Sequence, residues 1–218
     1  MQTGRASRTA YGVAYRRAVH QLLDPPPVLQ DPIAIPILGP GFHTRFEEVN
    51  LRFYVARTEP DGTRKRGVVF IREFVPRAAI TLIANSLYEE PYATLPMRHS
   101  IASTPGVLTV SYSWRHQRTW HSLAVEADPA PQPIEPGSEE EFITEHYWGH
   151  TKRTRANTSE YGVQHPRWQV YPIRNFAIEA DFATLYGPAF ASLKRLPPTS
   201  ILLAEGSAVT VSTGTRLP

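Results

Sequence analysis

Three side chains of different chemistry stand two residues apart in one alternating run: Glu48, Asn50 and Arg52. Val49, Leu51, Phe53 and Val55 fill the positions between and beyond them, so the run has the period of a β-strand and carries acid, amide and guanidinium on one face. Looking into an enclosed hollow, that face can grip a carboxylate or an enolate, with Glu48 as catalytic acid or base and Asn50 and Arg52 as ligand-binding groups. The competing account is the solvated outer face that antiparallel sheets commonly present. His165 and Trp168 are two further ligand-binding candidates, because an imidazole and an indole beside one strand can form a pocket wall; Trp168 equally suits a core. Glu73, Glu90 and Glu205 lie near strand ends, where an inward carboxyl would have a raised pKa. His146 and His150, with Glu145 beside them, have metal-like spacing on a helix-like run, but Gly149 interrupts it and no second cluster follows. Solvated histidines and no metal are therefore expected. No Gly-x-Ser-x-Gly elbow, phosphate-binding loop or Ser-His-Asp arrangement stands out.

The elements that must position these groups are mostly strands. Glu48 to Val55 is followed by the turn Pro60-Asp61-Gly62, and Gly67 to Val75 returns as its antiparallel partner. Pro76 opens a helix through Ala79, Ile80, Ile83, Ala84 and Leu87. Strands follow at Met97–Ala102, Val107–Arg115 and Thr119–Val125, with a turn near Gln117-Arg118. Residues Asp128 to Gly137 carry four prolines and read as a surface loop. Ser138 and Glu141 form a capping box that opens a helix through Phe142, Ile143 and Tyr147. Strands at Glu160–Gln164, Trp168–Tyr171 and Phe176–Glu179 precede a short helix at Asp181–Tyr186. A last strand pair, Ile201–Glu205 and Ala208–Ser212, turns at Gly206-Ser207.

Composition narrows the function classes. The chain has 218 residues, a formal charge of +3 and no cysteine, which rules out disulfides, thiolate metal sites and a cysteine nucleophile. Its basic side is 20 arginines and three lysines, scattered among acidic residues, which is a poor nucleic-acid footprint. No run approaches the ~20 apolar residues of a membrane span. Met1 to Arg17 has no apolar signal-peptide region, so a cytoplasmic location is expected, with no membrane or nucleic-acid partner.

Residues 1–39 read differently from the rest. Spacing from Ser7 to Leu23 is helical, and Pro25-Pro26-Pro27 must end that helix. The string Ser7-Arg8-Thr9-Ala10-Tyr11-Gly12-Val13-Ala14, with His20-Gln21-Leu22-Leu23-Asp24 and Asp31-Pro32, resembles the opening of leucine-carboxyl-methyltransferase-like, S-adenosylmethionine-dependent methyltransferases. The glycine-rich cofactor turn of that family does not follow, so this resemblance implies shared ancestry of a segment and no methyl transfer.

Over about residues 41–218 the chain resembles the YqjF-like family, a domain of unknown function related to the acetoacetate decarboxylase superfamily. The motifs are Phe46-Glu47-Glu48-Val49-Asn50-Leu51-Arg52-Phe53-Tyr54-Val55, Arg66-Gly67-Val68-Val69-Phe70 and Leu95-Pro96-Met97-Arg98-His99. Others are Pro136-Gly137-Ser138 with Phe142-Ile143-Thr144-Glu145, His165-Pro166-Arg167-Trp168, and Ala204-Glu205-Gly206-Ser207-Ala208-Val209. The resemblance implies a mainly β fold with short helices, an antiparallel β-barrel with a central cavity, incomplete at its start because the leader stands where family members carry further helix and strand. Acetoacetate decarboxylases use a Schiff-base lysine. Here Glu89-Glu90-Pro91-Tyr92-Ala93 stands where that lysine is expected, and Lys65, Lys152 and Lys194 read as solvated, in a turn, after a helix and before Pro197.

The expectation is a leader (1–39) and a β-barrel domain (40–218) that binds a small molecule, without a cofactor. The alternatives are a methyltransferase in name only, lacking its cofactor site, and a non-catalytic truncated fusion fragment.

Overall fold

The computed structural model describes residues 46–85, 91–152, 157–212 and 214–217. The leader helix, the junction near Gly39, Leu87 and Glu90 lie outside the described residues. What is described is mainly β. Strand β1 (Val49–Thr58) and strand β2 (Arg64–Val75) form an antiparallel ribbon around the expected turn, where Gly62 has φ 87° and the Asp61 carboxylate accepts the Thr63 N–H. Helix α1 (Ala78–Ile83) starts two residues after Pro76, with Arg77 at its N-cap, so Pro76 sits outside the first turn.

After α1 come β3 (Tyr92–Thr94), β4 (Met97–Thr104), β5 (Val107–His116), β6 (Thr119–Ala127) and the two-residue β7 (Gln132–Pro133). Helix α2 (Glu139–Thr144) leads into β8 (Trp148–Lys152), β9 (Thr158–Gln164), β10 (Gln169–Tyr171) and β11 (Ile173–Glu179). Helix α3 (Phe182–Tyr186), a 3-10 helix (Pro188–Lys194) and the short β12 (Leu203–Ala204), β13 (Thr210–Val211) and β14 (Thr215–Leu217) complete the chain.

These strands make three sheets. One runs β1-β2-β8-β9-β13, with β3 paired to β2 and β14 to β9; the second is β12-β10-β7 and the third β11-β6-β5-β4. Among the described residues they stay open, and no closed barrel forms. The last strand pair also differs from expectation: β12 pairs with β10 and β13 with β9, so the segments flanking Gly206-Ser207 reach different sheets.

The first and third sheets meet in one core. Phe74, Trp114 and Leu185 are buried there, with Val49, Leu95 and Met97 packed around them. Each such side chain contributes about 1.5–3 kcal/mol by leaving water. Val49 pairs with Phe74 and Met97 with Trp114, which defines the two inward faces. Beyond the core the third sheet's inward face carries exposed Ile101, Leu123, Phe176 and Ile178, and that of the first carries exposed Phe53. The sheets therefore pack at one end and part at the other.

The helix read through Tyr147 ends early, and a strand follows it. Ser138 does cap α2, accepting the Glu141 N–H at 3.2 Å, and the Glu141 carboxylate reaches back to the Gly137 N–H at 2.7 Å. The helix nevertheless ends at Thr144, and β8 inserts beside β2 as its parallel neighbour. Glycine permits this. A side chain at Gly67 would meet the Trp148 carbonyl at 2.6 Å, and one at Gly149 would meet the Tyr161 ring at 2.1 Å. Gly149 is thus a strand residue that lets an aromatic ring lie flat on the sheet, where its sequence context read as a helix end.

Candidate functional site

The polar run on β1 keeps its alternation. Register between β1 and β2 slips at Leu51/Arg52, where Leu51 pairs with Arg72 and Arg52 with Phe70. The extra residue, Ile71, is therefore on β2, and Glu48, Asn50, Arg52 and Tyr54 remain on one face of β1. Opposite them the bulge selects Glu73, Phe70, Val68 and then Arg66 and Arg64. This is the face that α2 and the following loop cover.

Glu48 accepts a hydrogen bond from Asn50 Nδ2 at 2.9 Å and from the Tyr92 hydroxyl at 3.5 Å. Solvent reaches it, yet desolvation is the largest influence on its carboxyl and raises the pKa against the opposing effects of Asn50, Tyr92 and Arg52. Glu73, the cross-strand partner of Asn50, is 1% exposed on the same face.

Further along, Arg52 donates to the Tyr54 hydroxyl at 3.4 Å and lies 5.4 Å from its ring centre. Beyond it opens a cleft of about 540 Å³, lined by Tyr54, Val55, Ala56, Arg64, Arg66, Phe142 and His146. Arg66 lies over the Phe142 ring at 5.0 Å and donates to the Phe142 carbonyl at 3.0 Å. His146 is wedged between Tyr54 at 4.6 Å and Phe142 at 5.1 Å. Burial, then Arg66 and Arg52, push its pKa down to about 4, so the ring is neutral near pH 7. Its Nδ1 is buried with no hydrogen-bond partner among the described residues. Neither Arg52, Arg64 nor Arg66 has an ion pair among the described residues.

On the opposite face of the same ribbon Arg57 and Lys65 are both paired. Glu160, 3% exposed, accepts from Lys65 at 2.6 Å, from Arg57 at 3.1 Å and lies 3.0 Å from His150 Nε2. Glu59 joins Arg57 at 2.6 Å and Lys65 at 2.8 Å. Burial alone would raise the Glu160 pKa, but bonds from Lys65, His150 and Arg57 outweigh it and leave the pKa below its ordinary value. Lys65 was expected to be a solvated turn residue. It lies in β2, 4.0 Å above the Trp148 ring, and its two carboxylate partners raise its pKa. Lys152 is on β8 and Lys194 is an exposed residue closing the 3-10 helix.

His146 and His150 do not act together: the first is in the loop after α2 beside Tyr54, the second on β8 against Glu160. Among the described residues no group of three or more His, Asp or Glu side chains is placed to hold a metal. His165 and Trp168 stack at 4.1 Å, with Tyr147 5.3 Å from His165 and the Trp168 indole donating to Ser207. Among the described residues no hydrogen bond, ion pair or ring contact joins this pair to Glu48, Asn50 or Arg52. Glu205 accepts the Gln169 N–H at 3.1 Å. Sequence reasoning left out Arg64, Arg66 and Phe142 as site residues, because only the bulged register and the position of α2 bring them to Tyr54.

No helix among the described residues is long and apolar enough to cross a membrane. The DUF2071 family, described as "uncharacterized conserved protein", matches residues 31–208, and the chain belongs to it. This is the YqjF-like family that the sequence motifs resemble, and the match includes residues 31–39. No curated protein matches the chain at a significant level.

Proposed function

We propose that this DUF2071 protein binds a small organic anion, a carboxylate on an apolar body, in the cleft between the β1–β2 ribbon and α2. The observation that carries this reading is two guanidiniums, Arg64 and Arg66, that line an aromatic-walled hollow without ion-pair partners among the described residues, with Arg52 beside Tyr54. Guanidinium is the group best shaped for a carboxylate, which it meets with two parallel hydrogen bonds. Phe142, Tyr54 and the neutral His146 offer the body an apolar wall.

Schiff-base chemistry is not part of this reading. It needs a lysine with a lowered pKa, and Lys65 is held protonated by two carboxylates. A second reading, acid-base catalysis, is favoured by Glu48, whose raised pKa suits a proton-transfer group; Asn50 and Tyr92 would position it. In the second reading Arg52, which shares the β1 face with Glu48 and acts on its carboxyl, is the anion anchor, and the His165–Trp168 stack is part of neither.

Calorimetry with benzoate and octanoate, against their neutral amides, tests the proposal. Carboxylates should bind and amides should not, and Arg66→Ala should weaken binding about tenfold, the loss of roughly 1.4 kcal/mol. Equal binding of acid and amide, or no binding of either acid, would remove the cleft as an anion site. If ligand is turned over, Glu48→Gln should abolish turnover and leave affinity intact; unchanged turnover would exclude Glu48.

A further inference from the structure

A third set of polar atoms belongs to neither the cleft nor the Glu160 network. Near the turn of the β5–β6 hairpin Trp114 pairs with His121, and His116 follows two residues after Trp114, so the three rings share the face that meets Phe74. Trp114 and His121 are 2% and 3% exposed. Their rings stack at 6.0 Å with 23° between planes.

The protonation of His121 follows from its contacts. Its Nδ1 accepts the Asp181 backbone N–H at 3.2 Å, so the proton of the neutral ring is on Nε2. Burial, then His116, hold the pKa of this ring down, with Asp181 opposing and Lys194 adding to the depression. His121 thus presents Nε2–H as a buried donor, and Trp114 presents Nε1–H as another. Neither has an acceptor among the described residues, and His116 Nδ1 is likewise buried without a partner. Buried donors normally find acceptors, because leaving them unmet forfeits their hydration. The Asp181 carboxylate does not serve them; it accepts the Thr184 N–H at 3.1 Å as the cap of α3. A metal ion is the wrong occupant, since Nε2 carries its proton and has no lone pair to give.

We propose that Trp114, His121 and His116 form a second, buried site for a small carboxylate, whose oxygen accepts from the indole and imidazole N–H groups. This site is independent of the cleft beside α2. It differs in character as well: the donors here are neutral, so recognition rests on direction and desolvation.

Side-chain nitrogen-proton spectra of protein labelled at tryptophan and histidine, titrated with acetate, provide the test. One indole N–H resonance, identified by its absence in Trp114→Phe, should shift saturably. His121→Phe should weaken that response at least tenfold, His116→Ala should weaken it less, and Arg66→Ala should leave it unchanged. If Trp114→Phe does not fold, the His121 Nε2–H signal in the parent protein reports the same binding. A flat response, or an indole N–H in contact only with a trapped water, would overturn the site. Loss of the response in Arg66→Ala would show acetate acting through the cleft and would equally overturn it.

Discussion

On one face of the β1–β2 ribbon Arg57 and Lys65 each reach two carboxylates, whereas on the other Arg52, Arg64 and Arg66 have none among the described residues. The two faces are built from the same two strands. What differs is the strand that β8 and β9 bring alongside: His150 and Glu160 pair across β8–β9 and place a buried carboxylate under two cations. On the α2 side the covering elements are an aromatic ring and a neutral imidazole. A closed network consumes its charges in holding strands together, and an open one keeps them for something that arrives from solvent.

The largest effect should come from breaking the closed network. Glu160→Gln leaves Lys65, Arg57 and His150 facing an amide, and because both cations keep some contact with water we expect a loss of about 3 kcal/mol, at the lower end for a buried pair. Urea unfolding measures it, and benzoate affinity should not change. The sign with pH follows from the lowered folded-state pKa of Glu160. Its stabilisation is fully present above the ordinary value of 4.5 and is lost as pH falls through the lower folded value. The gap between parent and Glu160→Gln should therefore be wide at pH 7 and should narrow as pH falls below 4.5. A gap that stays constant from pH 7 down to the acid unfolding limit would mean that Glu160 acts through packing.

Arg66→Ala should do the reverse, lowering affinity for a carboxylate about tenfold while changing stability by roughly 0.5 kcal/mol or less. A smaller effect again is expected from Ser138→Ala. The hydroxyl caps α2, the helix that carries Phe142 to the cleft. Its loss should cost about 1 kcal/mol of stability and weaken binding only if the helix shifts. A tenfold loss of affinity here without loss of stability would move the binding determinant to the α2 terminus.

Much of the strand order was legible because its signals are local. The alternation through Val55, the Pro60-Asp61-Gly62 turn and the Gln117-Arg118 turn each specify a hairpin by themselves, and Asp181 and Ser138 announce their helices as caps. The polar face of β1 was legible for the same reason. Trp148–Lys152 was not: it follows directly on a capped helical run, and only pairing with β2 and β9, over separations of about 80 and 10 residues, makes it a strand. Nor was the barrel, since closure depends on how distant sheets meet, and alternation says nothing of that. Arg64 and Arg66 were not legible as site residues because the Ile71 bulge that aligns them with Tyr54 leaves no mark in composition.

His146 offers the finest probe of the contrast between the faces. Its folded pKa of about 4 lies below the ordinary 6.5, so the unfolded chain takes up the proton first as pH falls. Stability should therefore decline from pH 6.5 towards 4 through this residue, in the same direction as for Glu160 but in a higher window, since the Glu160 contribution is intact above 4.5. His146→Gln should flatten that part of the profile. A bound carboxylate beside Arg66 would offset the guanidinium field that helps to depress this imidazole, so benzoate should raise the His146 pKa, read from its ring-proton shifts. His150, sealed against Glu160 on the other face, should show no response to benzoate. Equal shifts in both histidines would mean that the anion acts through a general change of the sheet and that the two faces are not separate.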